Sequence, residues 1–129
     1  MRGSLDAIGA GAASSEPSCR SNERSVNIMM TCFLRYEIDI KKIAEFEHYG
    51  RLWIRLVNKM GGQHHGYLLP SEGASDVALA SFTFPSLMAY EQYRQAAATD
   101  PECQAAYAYA NDTNCIRRYE RTFFRPMFE

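Results

Sequence analysis

Cysteine is scarce in this chain and poorly spaced for chemistry: Cys19, Cys32, Cys103 and Cys115 are the only four in 129 residues. They form no CxxC pair and fall far short of a disulfide-stapled secreted scaffold. Buried, reduced thiols in a cytoplasmic protein are the expected reading. An excess of charge of either sign is missing too, since 14 Lys and Arg face 15 Asp and Glu for a formal net charge of −1. That balance argues against an electrostatic hold on nucleic acid or an anionic membrane. No apolar run approaches the length of a membrane span. The three histidines show no HxH or HExxH spacing, and the glycines form no nucleotide-binding motif. Neither a metal nor a cofactor is expected on those grounds.

The first 29 residues are rich in Gly, Ala and Ser and show no sustained period. They lack the apolar centre of a signal peptide, and Asp6, Glu16 and Glu23 count against a transit peptide. The reading is a disordered extension over 1–29, with Met29 or Met30 as a candidate working start and a folded domain over 30–129.

From residue 30 the pattern is β-α-β-β-α-β. Residues 31–39 alternate, with Cys32, Leu34, Tyr36 and Ile38 on one face and Phe33, Arg35 and Glu37 on the other. Asp39 caps a helix whose apolar stripe runs through Ile43, Phe46, Gly50, Trp53, Val57 and Met60. Gly50 inside that stripe implies close packing against a neighbour, because glycine otherwise costs a helix about 1 kcal/mol relative to alanine. Gly61-Gly62 ends it. Two strands, 63–69 and 77–84, are joined by the long turn PSEGASD. Ser86 caps a helix running to about Ala98, and Asp100 followed by Pro101 restarts one that ends near Asn111. The last strand, 116–125, sets Tyr119, Arg121 and Phe123 against Arg118, Glu120 and Thr122.

Two crossovers with a hairpin between them specify an α+β, ferredoxin-like fold: a four-stranded antiparallel sheet with its helices on one face. Phe33, Tyr67, Phe82 and Phe123 put aromatic groups on the sheet faces, and a domain this small cannot bury both faces alone. A homodimer in which a second copy covers the open face, about 800 Å² per partner, is the expected solution.

The segments GGQHHGYLLPSEG (61–73), FTFPS (82–86), AYEQYR (89–94), TDPEC (99–103) and YERTFFRP (119–126) carry a likeness to a known family. From Thr31 to Pro126 the chain resembles the NIPSNAP family of the dimeric α+β barrel (antibiotic-biosynthesis-monooxygenase-like) superfamily. The resemblance implies a homodimer in which two sheets form a barrel. It implies no single activity: eukaryotic relatives are associated with mitochondria and vesicle- or mitophagy-linked interactions. The superfamily includes cofactor-free monooxygenases, isomerases and haem-degrading enzymes.

His64 and His65 are adjacent on a strand, so they point to opposite faces and cannot form a simple metal pair. One is expected to face the helices and the other the barrel interior, and either is a candidate general base. A hydrogen-bonded core or interface histidine is the structural alternative. Glu72, held between Pro70 and Gly73, is a third catalytic candidate that could orient a histidine; otherwise it is a solvated turn carboxylate. Tyr90 and Arg94 lie four apart on one helix face with Leu87 and Ala97. An arginine drawn toward the sheet needs an anion, either a ligand carboxylate or an internal partner such as Glu72. Tyr36 and Tyr90 are candidates to hydrogen-bond a ligand oxygen, Arg35 and Arg121 are weaker candidates, and Trp53 reads as packing. His48 is conceivable as a haem ligand, but Glu45, Glu47 and Arg51 around it read as a solvated face.

Two functions follow. In one, the domain is a binder of a small, largely apolar molecule with a polar handle, or an enzyme that converts it without cofactor. In the other, it is a non-catalytic homodimeric interaction module.

Overall fold

A computed structural model describes residues 28–128; the expected extension over 1–29 lies almost wholly outside them. Strand β1 (Met30–Ile38) leads through a short 3-10 turn into helix α1 (Ile43–Lys59). Strands β2 (Gln63–Leu68) and β3 (Val77–Phe84), helices α2 (Leu87–Ala97) and α3 (Pro101–Thr113), and strand β4 (Ile116–Phe124) follow. The strands lie in the order β2-β3-β1-β4, every neighbouring pair antiparallel. The two central strands are β1 and β3, whose side chains supply much of the core.

Local signals set the boundaries. Asp39 accepts from the Lys41 amide at 3.0 Å and opens the 3-10 turn rather than the α-helix itself. Ser86 Oγ accepts from the Ala89 amide, and Asp100 Oδ2 from the Cys103 amide, each filling an orphan donor of a first helical turn. Helix α3 runs past the expected Asn111 to Thr113, and it stops because Asn114 takes a left-handed φ of 56°, a conformation asparagine tolerates.

The register sorts the faces. Cys32 pairs with Phe82 and Phe123, Leu34 with Ala80 and Arg121, Tyr36 with Ala78 and Tyr119. All of these look toward the helices. Helix α1 answers with buried Phe46, Tyr49, Trp53, Leu56 and Val57, and α2 with Tyr90, Tyr93 and Ala97. A methyl group on Gly50 would lie 3.1 Å from the Tyr67 ring, so the missing side chain is what admits that tyrosine. Leu87, expected on the buried stripe of α2, is instead 52% exposed. Cys32, Cys103 and Cys115 are buried and free.

The opposite face of the sheet carries no helix. Of the four aromatic residues expected on the faces, Tyr67, Phe82 and Phe123 turn toward the helices and only Phe33 does not. Phe33 meets Phe124 edge to face at 6.1 Å. Leu79, Val77 and Leu68 share this face with an ion-paired row in which Glu37 accepts from both Arg35 and Arg118. No described helix is long and apolar enough to cross a membrane.

Candidate functional site

A bulge in β2 builds the site. The β2–β3 register shifts between His64 and Tyr67, and Gly66 sits there at φ +97°, a conformation that favours glycine. Without the shift, His64 and Tyr67 would point to opposite faces. With it, both face the helices, their rings stacked at 5.1 Å and 18°. Tyr67 in turn stacks near Tyr36 (6.1 Å) and meets Phe46 edge-on at 5.6 Å.

His64, Tyr36 and Tyr67 border a small, partly open cavity of about 40 Å³ between the sheet and the helices. Helix α1 contributes Tyr49 and Trp53, and α2 contributes Tyr93 and Arg94; Arg121 comes from β4. The volume admits only a few water-sized groups. Burial raises the Tyr36, Tyr49, Tyr67 and Tyr93 phenols well above their ordinary range, so they remain neutral. Burial also pushes the Cys32 thiol up to about 11, against the pull of Arg121 and Arg94, which leaves it protonated.

His64 is held neutral. Its Nδ1 accepts from the Gly66 amide at 2.9 Å, which assigns the ring proton to Nε2. Burial first, and the neighbouring His65 second, lower its pKa to about 4. In this arrangement His64 offers an N–H to the cavity and has no free basic nitrogen. A linkage follows. The unfolded ring takes up a proton near pH 6.5 and the folded ring only near 4. The stability contributed by the neutral ring is therefore complete above pH 6.5 and is lost as pH falls toward 4. Melting temperatures measured from pH 7 to 4 are expected to fall less steeply for His64→Gln than for the parent, and parallel curves would contradict the assignment.

The other candidates disperse. His65 points to the helix-free face, where its Nε2 lies 2.7 Å from Thr83 Oγ1, itself 2.7 Å from Thr31 Oγ1. The two histidines thus take opposite faces. Glu72 lies exposed in the β2–β3 turn and does not border the cavity. Tyr36 and Arg94 line the cavity; Tyr90 stands behind it, accepting from Arg121 Nη1 at 3.1 Å. Arg94 makes no ion pair with Glu72 among the described residues. Arg121, ranked low from sequence, proves central: it lies at the cavity with its guanidinium 5.9 Å from the Tyr119 ring centre. Strict alternation along β4 already placed it on the face of Tyr119. Tyr67 was hidden from a period-two reading, and the glycine inside its strand was the available signal.

Other features lie apart from the cavity. His48 is exposed, 4.7 Å from the Tyr109 ring, in an open groove between α1 and α3. No group of three His, Cys, Asp or Glu side chains suited to a metal ion occurs among the described residues.

Comparison with known proteins adds the following. The NIPSNAP family model matches residues 31–128. An uncharacterised NIPSNAP-like domain protein from Burkholderia xenovorans is similar at TM-score 0.65 and 20% identity, covering 78% of this chain and 87% of that one. A NIPSNAP family protein of unknown function from Agrobacterium tumefaciens is similar at TM-score 0.66 and 18% identity, covering 78% and 89%. SnoaB, a cofactor-independent oxygenase from Streptomyces nogalater, is similar at TM-score 0.58 and 12% identity, covering 79% and 96%. These likenesses establish a shared fold, that of the antibiotic-biosynthesis-monooxygenase-like α+β proteins. No curated protein matches the chain.

Proposed function

The chain belongs to the NIPSNAP family, and on that premise we propose that its domain binds a small, largely apolar molecule by a polar handle placed in the cavity between sheet and helices. The observation that carries this reading is the convergence of His64, Tyr36, Arg94 and Arg121 on one recess walled by aromatic rings. The recess of about 40 Å³ takes the handle, while the apolar body lies at its mouth. Drug-sized ligands fill roughly 300–1,000 Å³, so the body needs that outer space. Any conversion there proceeds, in this reading, without a cofactor, a proposal supported by the description of the structural neighbour SnoaB. Neutral His64 and the neutral phenols suit it to stabilising an oxygen by hydrogen bonds rather than to abstracting a proton.

The helix-free face supports a homodimer. Phe33 and Phe124 are 36% and 53% exposed, beside a row of charges that could pair across a seam. A mixed face of this kind matches an interface with an apolar centre and polar rim. The domain is then the unit over residues 30–129, and its buried free cysteines suit a reducing, cytoplasmic setting.

Native mass spectrometry tests both statements on the purified chain. The expected spectrum shows the mass of two chains with a ligand surplus that Arg94→Ala or His64→Ala removes while the dimer persists. A monomer at micromolar concentration would refute the dimer. A surplus indifferent to both substitutions would refute the site.

A further inference from the structure

Two buried hydrogen-bond donors in the described residues have no acceptor: Trp53 Nε1 and Arg121 Nε. Both belong to side chains that line the same cavity. Trp53 is only 6% exposed, so its indole N–H is shielded from bulk solvent. An unmet buried N–H costs about 1–3 kcal/mol, more when the group is charged. Two such donors, on side chains that line one recess, describe a ligand by what they lack.

The charge of the wall points the same way. Arg121 and Arg94 both line the cavity, and no aspartate or glutamate does. The ion pairs among the described residues engage Arg35, Arg51, Lys59 and Arg118, all elsewhere. Arg121 finds the neutral Tyr90 hydroxyl and the face of Tyr119. Neither neutralises a guanidinium, and a buried guanidinium without an anion is costly. His64 presents an N–H on the same recess.

We infer that the cavity is a carboxylate site: Trp53 Nε1 and Arg121 Nε each donate to an oxygen of a small organic acid, with Arg94 supplying the second positive charge. The inference rests on the binding role proposed above and names the handle. A planar carboxylate has two oxygens to offer two separate donors, and its size suits a recess of about 40 Å³. The apolar remainder of the acid then emerges among the aromatic rings.

Because Trp53 is the only tryptophan of the chain, its emission reports directly on the site. Cyclohexanecarboxylate and its neutral amide have the same shape and absorb no excitation light, and each is titrated into the full-length protein. The expected result is a saturable change in emission with the carboxylate, at least about tenfold tighter than with the amide. Calorimetry then follows Trp53→Phe and Arg121→Lys, each removing one donor while keeping the ring or the charge. Each is expected to weaken the carboxylate about tenfold and the amide by less, since the amide offers one acceptor oxygen and no charge. Equal binding of acid and amide would keep the pocket but overturn the carboxylate assignment. Failure of both probes to bind at millimolar concentration would overturn the pocket as well. If a variant does not fold, the comparison of acid with amide on the parent protein decides alone.

Discussion

Phe46→Ala is expected to destabilise the domain by about 3–5 kcal/mol, a large share of the roughly 5–15 kcal/mol that holds a domain folded. Phe46 is wholly buried, and its ring contacts Tyr36 at 5.1 Å, Tyr49 at 6.1 Å and Tyr67 at 5.6 Å. Truncation removes the ring's transfer energy and opens a void that these three rings cannot close. Each is anchored on a different element: β1, α1 itself and the bulged end of β2. The same three tyrosines border the proposed ligand recess, so the loss extends to binding. Urea denaturation should show a lower midpoint with an unchanged slope, the sign of lost stability within a two-state transition. Phe46→Leu, which fills more of the space, is expected to recover over half the loss. A Phe46→Ala midpoint within about 1 kcal/mol of the parent would mean that the tyrosine cluster does not depend on this ring.

The sequence made the scaffold readable because its local and tertiary signals agree. Asp39, Ser86 and Asp100 sit where orphan amides need acceptors, and all three accept them. The alternation of β1 holds over its whole length because one face is covered by helices and the other is not. The site was less readable, for a physical reason. Period-two counting fails at a bulge, and β2 has one, so Tyr67 turns to the helix side together with His64 and lines the recess. Glu72 drew attention by being near the histidines in sequence. A turn between Pro70 and Gly73 keeps it in solvent, and nothing in residue spacing reports that distance. Arg121 shows the converse. Its position facing the helices followed from alternation, but its importance came from what the cavity lacks, a carboxylate, and absence from a wall is visible only once the wall is assembled.

Gly62→Ala should be the second most damaging of the single changes considered, through overpacking rather than a void. A methyl group placed there would lie 2.6 Å from Phe84 Cζ, 2.7 Å from Phe84 Cε1 and 2.8 Å from Val57 Cγ1. Both neighbours are 1% exposed, so neither can swing into solvent to make room. Forced shifts of this kind typically cost about 1–3 kcal/mol. Alanine also restricts the unfolded chain, which offsets about 0.4–1 kcal/mol. Contacts this short against a rigid buried ring favour the strain, for a net loss of about 2 kcal/mol. In a domain of this size that is a drop in melting temperature of roughly 8–16 °C. The relief of strain should be measurable in a double-mutant cycle. Phe84→Leu withdraws the ring, and its combination with Gly62→Ala is expected to cost less than the two separate losses added together. Strict additivity would show that the methyl group and the ring do not meet. The position also bears on the site, since Gly62 opens the strand that carries His64 two residues later. A shift of its backbone away from Phe84 would draw His64 Nδ1 off the Gly66 amide. Gly62→Ala should therefore weaken cyclohexanecarboxylate binding even at temperatures where the fold survives.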